Sequence, residues 1–293
     1  MPRCFTLLAT AVLVAAGSAP AAAQIDIRTV QLSDRIRVLQ PSEGSGNTIV
    51  FKGADGVLLI DTMADSIANH LHRRLDSLQS LDIRYIFNTH WHHNHLSGNS
   101  RFAARAAVFG APATRGRLAS PQPLRFLVQE TFPRLPESAW PTVVFPDSIS
   151  VYFNGEEIRA WHVKGHTDTD VLVYLTGSKI LATGDLFAGG RLILSDLDTG
   201  GNMIGVASAL AGALRRVAPD ATVVPGHGAI SKVADLETYV RGLQASIDFV
   251  RREAQAGRSL AEIQGQTPPA GALLGQNPAR AIEAIYRSLG DQR

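Results

Sequence analysis

Seven of the chain's nine histidines fall in three short stretches. His90, His92, His93 and His95 occupy Thr89-His90-Trp91-His92-His93-Asn94-His95, His162 and His166 follow farther on, and His227 stands between two glycines. Four imidazoles within six residues repel one another when protonated, and a divalent cation that binds them neutral offsets the crowding. Side chains at i and i+2 diverge on a helix and share a face only in extended or turn backbone. His90 and His92 can therefore chelate one ion, with His95 aimed at a second. Gly165-His166-Thr167, Thr183-Gly184-Asp185 and Pro225-Gly226-His227-Gly228 each set one more nitrogen or oxygen donor beside a glycine. A tight turn there can bring the donor close to an ion. The chemistry this pattern predicts is that of a metal centre.

Donors so far apart in the chain need elements that end at one place. Runs over 83–89, 158–163, 179–183 and 222–224 read as strands, each closing in a polar turn with His or Asp. Strands of one sheet system can deliver such groups into a common crevice at their C-terminal ends. Earlier runs at 48–51 and 57–60 also read as strands. Ile67, Leu71, Leu75 and Leu78 then recur at helical spacing, predicting a helix over 65–80 capped by Asp65 or Ser66. The stretch 111–146 holds Pro121, Pro123, Pro133, Pro136, Pro141 and Pro146 among Phe126, Phe132 and Trp140, and reads as an irregular insertion, either a surface connection over the core or a lid over substrate. Helical apolar spacing returns over 233–252 and 279–289, where packing helices are expected.

Composition narrows the function classes. Of 293 residues, 45% are hydrophobic and 18% charged, which excludes low-complexity disorder. A formal net charge of +2, with no Lys/Arg block longer than two, gives no footprint for nucleic acid. Arg3, the apolar run Cys4 to Ala16 and then Ala21-Ala22-Ala23 predict a secretory signal peptide over 1–23, too short to span a membrane. Export would leave a chain starting at Gln24, periplasmic or secreted, without a membrane anchor and without its single Cys. No linker divides residues 24–293, so one domain and a monomer are expected.

In this order the segments resemble the metallo-β-lactamase superfamily, whose pattern is H-x-H-x-D-H followed by single ligands in G-H-T, G-D and G-H contexts. The resemblance runs from Asp61, in Val57-Leu58-Leu59-Ile60-Asp61-Thr62, to His227. It implies an α/β fold, a four-layer αββα sandwich, with one or two zinc ions at the sheet edge. By position, His90, His92 and His166 match the first metal's ligands, His95 and His227 the second's, and Asp185 the bridging carboxylate. Asp61 matches a residue that orders the site's loops. His93 and His162 read as outer or surface imidazoles, and His70 and His72, on the polar side of the first helix, receive no role. Zinc suits a His-rich shell, although iron and manganese accept the same donors.

One position departs from the pattern, with Asn94 standing where the family has Asp. A carboxamide is neutral, binds metal weakly through oxygen and cannot act as a base. Asn94 and Asp185 are therefore the residues on which catalysis is expected to turn. The resemblance implies an exported hydrolase of a small-molecule substrate, in which metal-bound hydroxide opens a cyclic amide or ester such as a β-lactam or lactone. Losing a proton-shuttling group costs about 10²- to 10⁴-fold in rate, so a slow enzyme is expected. Asp185 points alternatively to a glyoxalase II-like thioesterase, and Asn94 to a catalytically impaired metal-binding relative. The cation nearest after Asp185 is Arg191, six residues on, and no carboxylate-gripping group stands out.

Overall fold

A computed structural model describes residues 25–290, so the leader read over 1–23, with Cys4, lies outside the described residues. The first sheet joins β1 (Ile27–Gln31), β2 (Ile36–Pro41), β3 (Thr48–Gly53), β4 (Gly56–Ile60), β5 (Ile83–Phe87) and β6 (Ala107–Gly110) side by side. It is antiparallel as far as β4 and parallel beyond. A separate hairpin of β7 (Gln122–Leu124) and β8 (Glu130–Phe132) precedes β9 (Val143–Val144), which adds the outer strand beside β6. The second sheet runs β10 (Ser148–Phe153), β11 (Glu156–Val163), β12 (Asp170–Leu175), β13 (Ile180–Ala182), β14 (Thr222–Val224) and β15 (Ser231–Lys232). Only β13 and β14 pair in parallel there.

Side-chain alternation explains why the sheets stack. In β3 and β4, Ile49, Phe51, Leu58 and Ile60 point into one core while Val50, Val57 and Leu59 point into another. In β12, Val171, Val173 and Leu175 join the first of these cores, and Leu172 and Tyr174 face a third. Strands apolar on both faces must be covered on both. Helix α1 (Ala68–Ser77) covers the outer face of the first sheet through Leu71 and Leu75. Short helices α2 (His93–Leu96) and α3 (Asn99–Phe102) follow β5, and α4 (Pro112–Ala119) opens the insertion. Helices α5 (Met203–Leu214), α6 (Val233–Gln255), α7 (Leu260–Gln264) and α8 (Pro278–Gly290) cover the second sheet. The layers are thus α, β, β, α, the four-layer sandwich that the resemblance implies.

Two sequence expectations shift in detail. The first helix begins at Ala68, behind a tighter turn at Asp65–Ile67, and neither Asp65 nor Ser66 caps it. The amides of Ala64 and Asp65 are instead taken by the hydroxyls of Ser45 and Ser97, at 3.1 and 2.8 Å. Neighbouring loops thus supply the acceptors that a cap would offer. At the other end, Gln79 turns left-handed with φ 52°, so the helix stops before Ser80. The insertion, in turn, seats Leu118 and Leu124 on Trp91 and Leu96, forming a small core beside the histidine turn.

Removing a side chain from the layer between the sheets tests the architecture. Leu58→Ala is expected to cost about 2–5 kcal/mol in denaturant unfolding. Tyr152→Ala, at a position 79% exposed, should stay within about 0.5 kcal/mol of the parent.

Candidate metal centre

The histidine turn begins where β5 stops. Asn88 is locked to Asn99 by reciprocal amide hydrogen bonds of 2.8 and 3.2 Å, which end the strand and start the turn. Trp91 N donates to Thr169 Oγ1 at 3.1 Å, and Val171 N donates to Thr89 O, so the turn is stitched to the second sheet. His90 and His92 lie in this non-helical stretch and His95 on α2, as the spacing required. His166 follows β11, Asp185 follows β13 and His227 follows β14. The four strand ends belong to two sheets, and their donors meet at the edge that the sheets share.

Where each ring proton goes decides where each ring lone pair points. Buried Asp61 accepts from Thr89 N at 2.8 Å through one oxygen, and from Thr89 Oγ1 at 2.7 Å and His95 Nδ1 at 2.9 Å through the other. With its own proton given to Asp61, Thr89 Oγ1 can only accept from His90 Nδ1, 3.1 Å away. His90 Nε2 and His95 Nε2 are left facing the cluster. On the other side, Leu194 O accepts from His166 Nδ1 at 3.0 Å, and the Asp196 carboxylate accepts from His92 Nε2 at 3.2 Å. A carbonyl or carboxylate can only accept, so His166 Nε2 and His92 Nδ1 present lone pairs to each other, 3.1 Å apart.

Such an arrangement fits a cation. The donor atoms of His90, His92 and His166 lie within 4.8 Å of one another, as do those of His90, His95 and Asp185. Asp185 reaches His95 Nε2 at 3.3 Å, His227 Nε2 at 3.5 Å and His166 Nε2 at 3.8 Å. Among the described residues, buried His90 Nε2 has no hydrogen-bond partner and Asp185 Oδ1 has only its ionic contact with His95, and leaving such atoms poorly paired is costly. A divalent ion with nitrogen and oxygen ligands would satisfy both.

In the ion-free protein a proton stands in for the cation. Burial alone would lower His95, but the Asp185 and Asp61 carboxylates outweigh it and raise its pKa to about 10. Burial, then the His95 and His92 charges, hold His90 well below its ordinary value. Burial and the charge of His92 lower His166 to about 3. Burial opposes ionisation of Asp185, yet the charges of His95 and His227 keep its carboxyl well below the usual range.

Asn94 sits beside the same donors, its Nδ2 3.1 Å from His227 Nε2. An amide N–H there donates to the nitrogen that would otherwise face an ion. The glycines have specific reasons. A Cβ on Gly226 would stand 2.0 Å from Asp185 Oδ1, and Gly184 turns at φ 51° against Thr89. His93 leans on Phe132 of the insertion, ring centroids 4.9 Å apart, and burial, then His92, lowers it to about 4. His162 spans two backbone carbonyls, Pro146 O and Asp168 O, each 2.9 Å away. His72 stacks on Phe102.

Two features escape the sequence reading. Asp196 lies in no motif, and the carbonyl of Leu194 carries no side-chain signature. Arg191 lines a cleft of about 590 Å³ that opens on Asp185 and His227, walled by residues 190–194 and 273–277. No residue of the 111–146 insertion lines that cleft.

Asp61→Asn and Asp196→Asn should each weaken zinc binding roughly 10- to 100-fold in chelator competition. Zinc must displace the His95 proton, so affinity should climb as pH rises toward about 10 and be lost as pH falls. The expected slope is about tenfold per pH unit, and a flat profile between pH 6 and 9 would contradict it.

Comparison with known proteins agrees with this geometry. The chain resembles hydroxyacylglutathione hydrolases from Synechococcus sp. (strain JA-3-3Ab), 35% identical over 122 residues, and from Gloeobacter violaceus, 31% identical over 122 residues. Each match spans 40% of this chain and 40% of the relative. In structure it resembles a stereoselective inverting sec-alkylsulfatase from Pseudomonas sp., with TM-score 0.70 and 14% identity over 89% of this chain, spanning half of that longer one. A metallo-beta-lactamase from Pontibacter korlensis aligns with TM-score 0.59 and 20% identity over 75% of this chain and 99% of that one. These two likenesses speak to the fold alone. The model of the metallo-beta-lactamase superfamily matches residues 41–227, from β2 through the last candidate ligand, and the chain belongs to that superfamily.

Proposed function

We propose that the chain is an exported metal-dependent hydrolase that opens a cyclic amide or ester in a small molecule, with β-lactams and lactones as leading substrates. The observation that carries this reading is the convergence of buried donor atoms within 4.8 Å of one another in the histidine cluster, with His90 Nε2 lacking any hydrogen-bond partner among the described residues. His90, His92 and His166 would hold one ion, and His95, His227 and Asp185 a second, with zinc favoured by the donor set. A bound divalent ion supplies acidified water and a Lewis acid for the carbonyl.

The protein's own residues set how well that chemistry runs. Asp61 and Asp196 accept ring protons from His95 and His92, and so turn the opposite nitrogens toward the cluster. Asn94 can donate to His227 but cannot receive a proton at ordinary pH. Asp185 is the one carboxylate lining the cleft, and its lowered pKa makes it a weak base. The expected enzyme is therefore slow, with its second ion weakly held.

Residues 1–23 support export, and N-terminal sequencing of the protein from a cell envelope fraction should begin at Gln24. A second reading, a thioesterase, draws on the hydroxyacylglutathione hydrolase matches, although glutathione thioesters are chiefly cytosolic.

Zinc-loaded protein assayed on nitrocefin, a lactone and a thioester, with an EDTA control, separates these readings. EDTA-sensitive turnover of the lactam or lactone is expected. Thioester turnover alone would favour the second reading, and no turnover at full metal loading would leave a metal-binding relative. Asn94→Asp should raise both metal bound per chain and turnover, by up to about 10²- to 10⁴-fold. An unchanged rate at full loading would contradict the role given to Asn94.

A further inference from the structure

The two large sheets have four edge strands among the described residues, β1, β9, β10 and β15. Three are protected in the ordinary ways, by shortness or by charge. β9 and β15 are two residues long, the latter ending on Lys232, and β1 carries Arg28. The fourth, β10, reads Ser-Ile-Ser-Val-Tyr-Phe, six residues with no charge, proline or glycine. Its β-branched and aromatic side chains suit a strand that is paired on both sides. Ser148 and Ser150 are exposed, and so is Tyr152, the most open of the exposed large hydrophobic side chains at 79%.

Hydrogen bonding to β11 fixes which backbone groups of β10 are free. His162 N donates to Asp147 O at 2.8 Å, and bonded pairs recur at every second residue along an antiparallel ladder. Ile149, Val151 and Phe153 therefore bond inward to β11, while the N–H and C=O of Ser148, Ser150 and Tyr152 point out of the sheet. Ile149, Val151 and Phe153 also pack on the core between the sheets. Ser148, Ser150 and Tyr152 share the other face with Arg159, Trp161 and Tyr174. A cleft of about 480 Å³ opens on that face, lined by Ser148, Ser150, Arg159, Trp161, Tyr174 and Arg216. Arg216, just after α5, holds its guanidinium over the Trp161 ring, 5.5 Å from the centroid.

We infer that β10 pairs antiparallel with β10 of a second copy of this chain, joining their second sheets across a two-fold axis at Ser150. Only this register bonds all three outward residues, with Ser150 opposite its own copy and Ser148 opposite Tyr152 of the other chain. Opposite residues share a face, so the incoming Tyr152 lands beside Ser148, whose small side chain leaves the way open to the cleft. Trp161 and Arg216 offer the ring an aromatic neighbour and a cation. The two-fold makes the same insertion twice, as a self-complementary interface requires. On the inner face the half-buried Ile149 of one copy covers the half-buried Val151 of the other. The ends match in charge. Exposed Asp147 comes opposite Phe153 of the second copy, beside the turn where Asn154 O accepts from half-exposed Arg35 at 2.7 Å. The monomer expected from the sequence thus becomes a dimer as concentration rises. Each subunit keeps its own cores, so the unfolding comparison at Tyr152 above holds for dilute, dissociated protein.

Analytical ultracentrifugation of the zinc-loaded protein from about 1 to 200 µM should show monomer giving way to dimer. Ser150→Pro removes an outward N–H and no bond to β11, and Tyr152→Ala removes the inserted ring. Each should weaken association about tenfold or more, with the circular dichroism spectrum and zinc content of the parent. The register has its own readout. In a Cys4→Ser background, Ser150→Cys should cross-link two chains on oxidation, since bonded partners lie about 5.5 Å apart between Cα atoms. Tyr152→Cys, far from its own copy in this register, should not. A parent that stays monomeric throughout the range would overturn the inference. So would a dimer that Ser150→Pro and Tyr152→Ala both leave intact, or one that Ser150→Cys fails to cross-link.

Discussion

Everything at the site depends on where four ring protons go. Asp61 and Asp196 stand outside the donor cluster, and each accepts an imidazole proton, from His95 and His92. Through Thr89, Asp61 also sets His90, and the Leu194 carbonyl sets His166. Four inward nitrogens follow from these acceptors, two of them 3.1 Å apart. Buried donors in that state call for a cation, and the rest of the fold holds the acceptors where this happens.

The two sheets contribute unequally. The first supplies Asp61 at the end of β4 and the histidine turn at the end of β5, parallel neighbours whose C-terminal ends lie together. The second supplies His166, Asp185 and His227, and between the last two runs the segment that carries Arg191, Leu194 and Asp196. The insertion is bolted to the same segment, with Phe126 N donating to Asp198 Oδ2 at 2.7 Å and Arg117 donating to Thr199 O at 3.0 Å. One stretch of chain thus lines the cleft, orients two donors and anchors the cover over Trp91.

The parts of this arrangement readable from the sequence were those carried by side-chain type and spacing. Strand 222–224 stands where the pattern put it, and the donor atoms of His90, His92 and His166, and of His90, His95 and Asp185, come together. The helix after β4 starts later than expected because Ser45 and Ser97, distant in sequence, satisfy its leading amides. Asp196 was invisible for a related reason: an acid eleven residues past Asp185 has no periodicity to mark it, and only the packed turn brings it to His92. Arg191 is visible in the sequence without a role, since spacing along the chain says nothing about the bend that Gly189 and Gly190 impose. Asn94 was legible as a departure, but its hydrogen bond to His227 needed the fold.

The central claim is the ring-proton pattern, and nitrogen-15 NMR of the histidine side chains in zinc-loaded protein reads it directly. The account predicts Nδ1–H rings with metal-shifted Nε2 for His90, His95 and His166, and the reverse, Nε2–H with metal-shifted Nδ1, for His92. A His92 with the same pattern as the other three, or four rings whose nitrogens show no metal shift at full zinc loading, would contradict it.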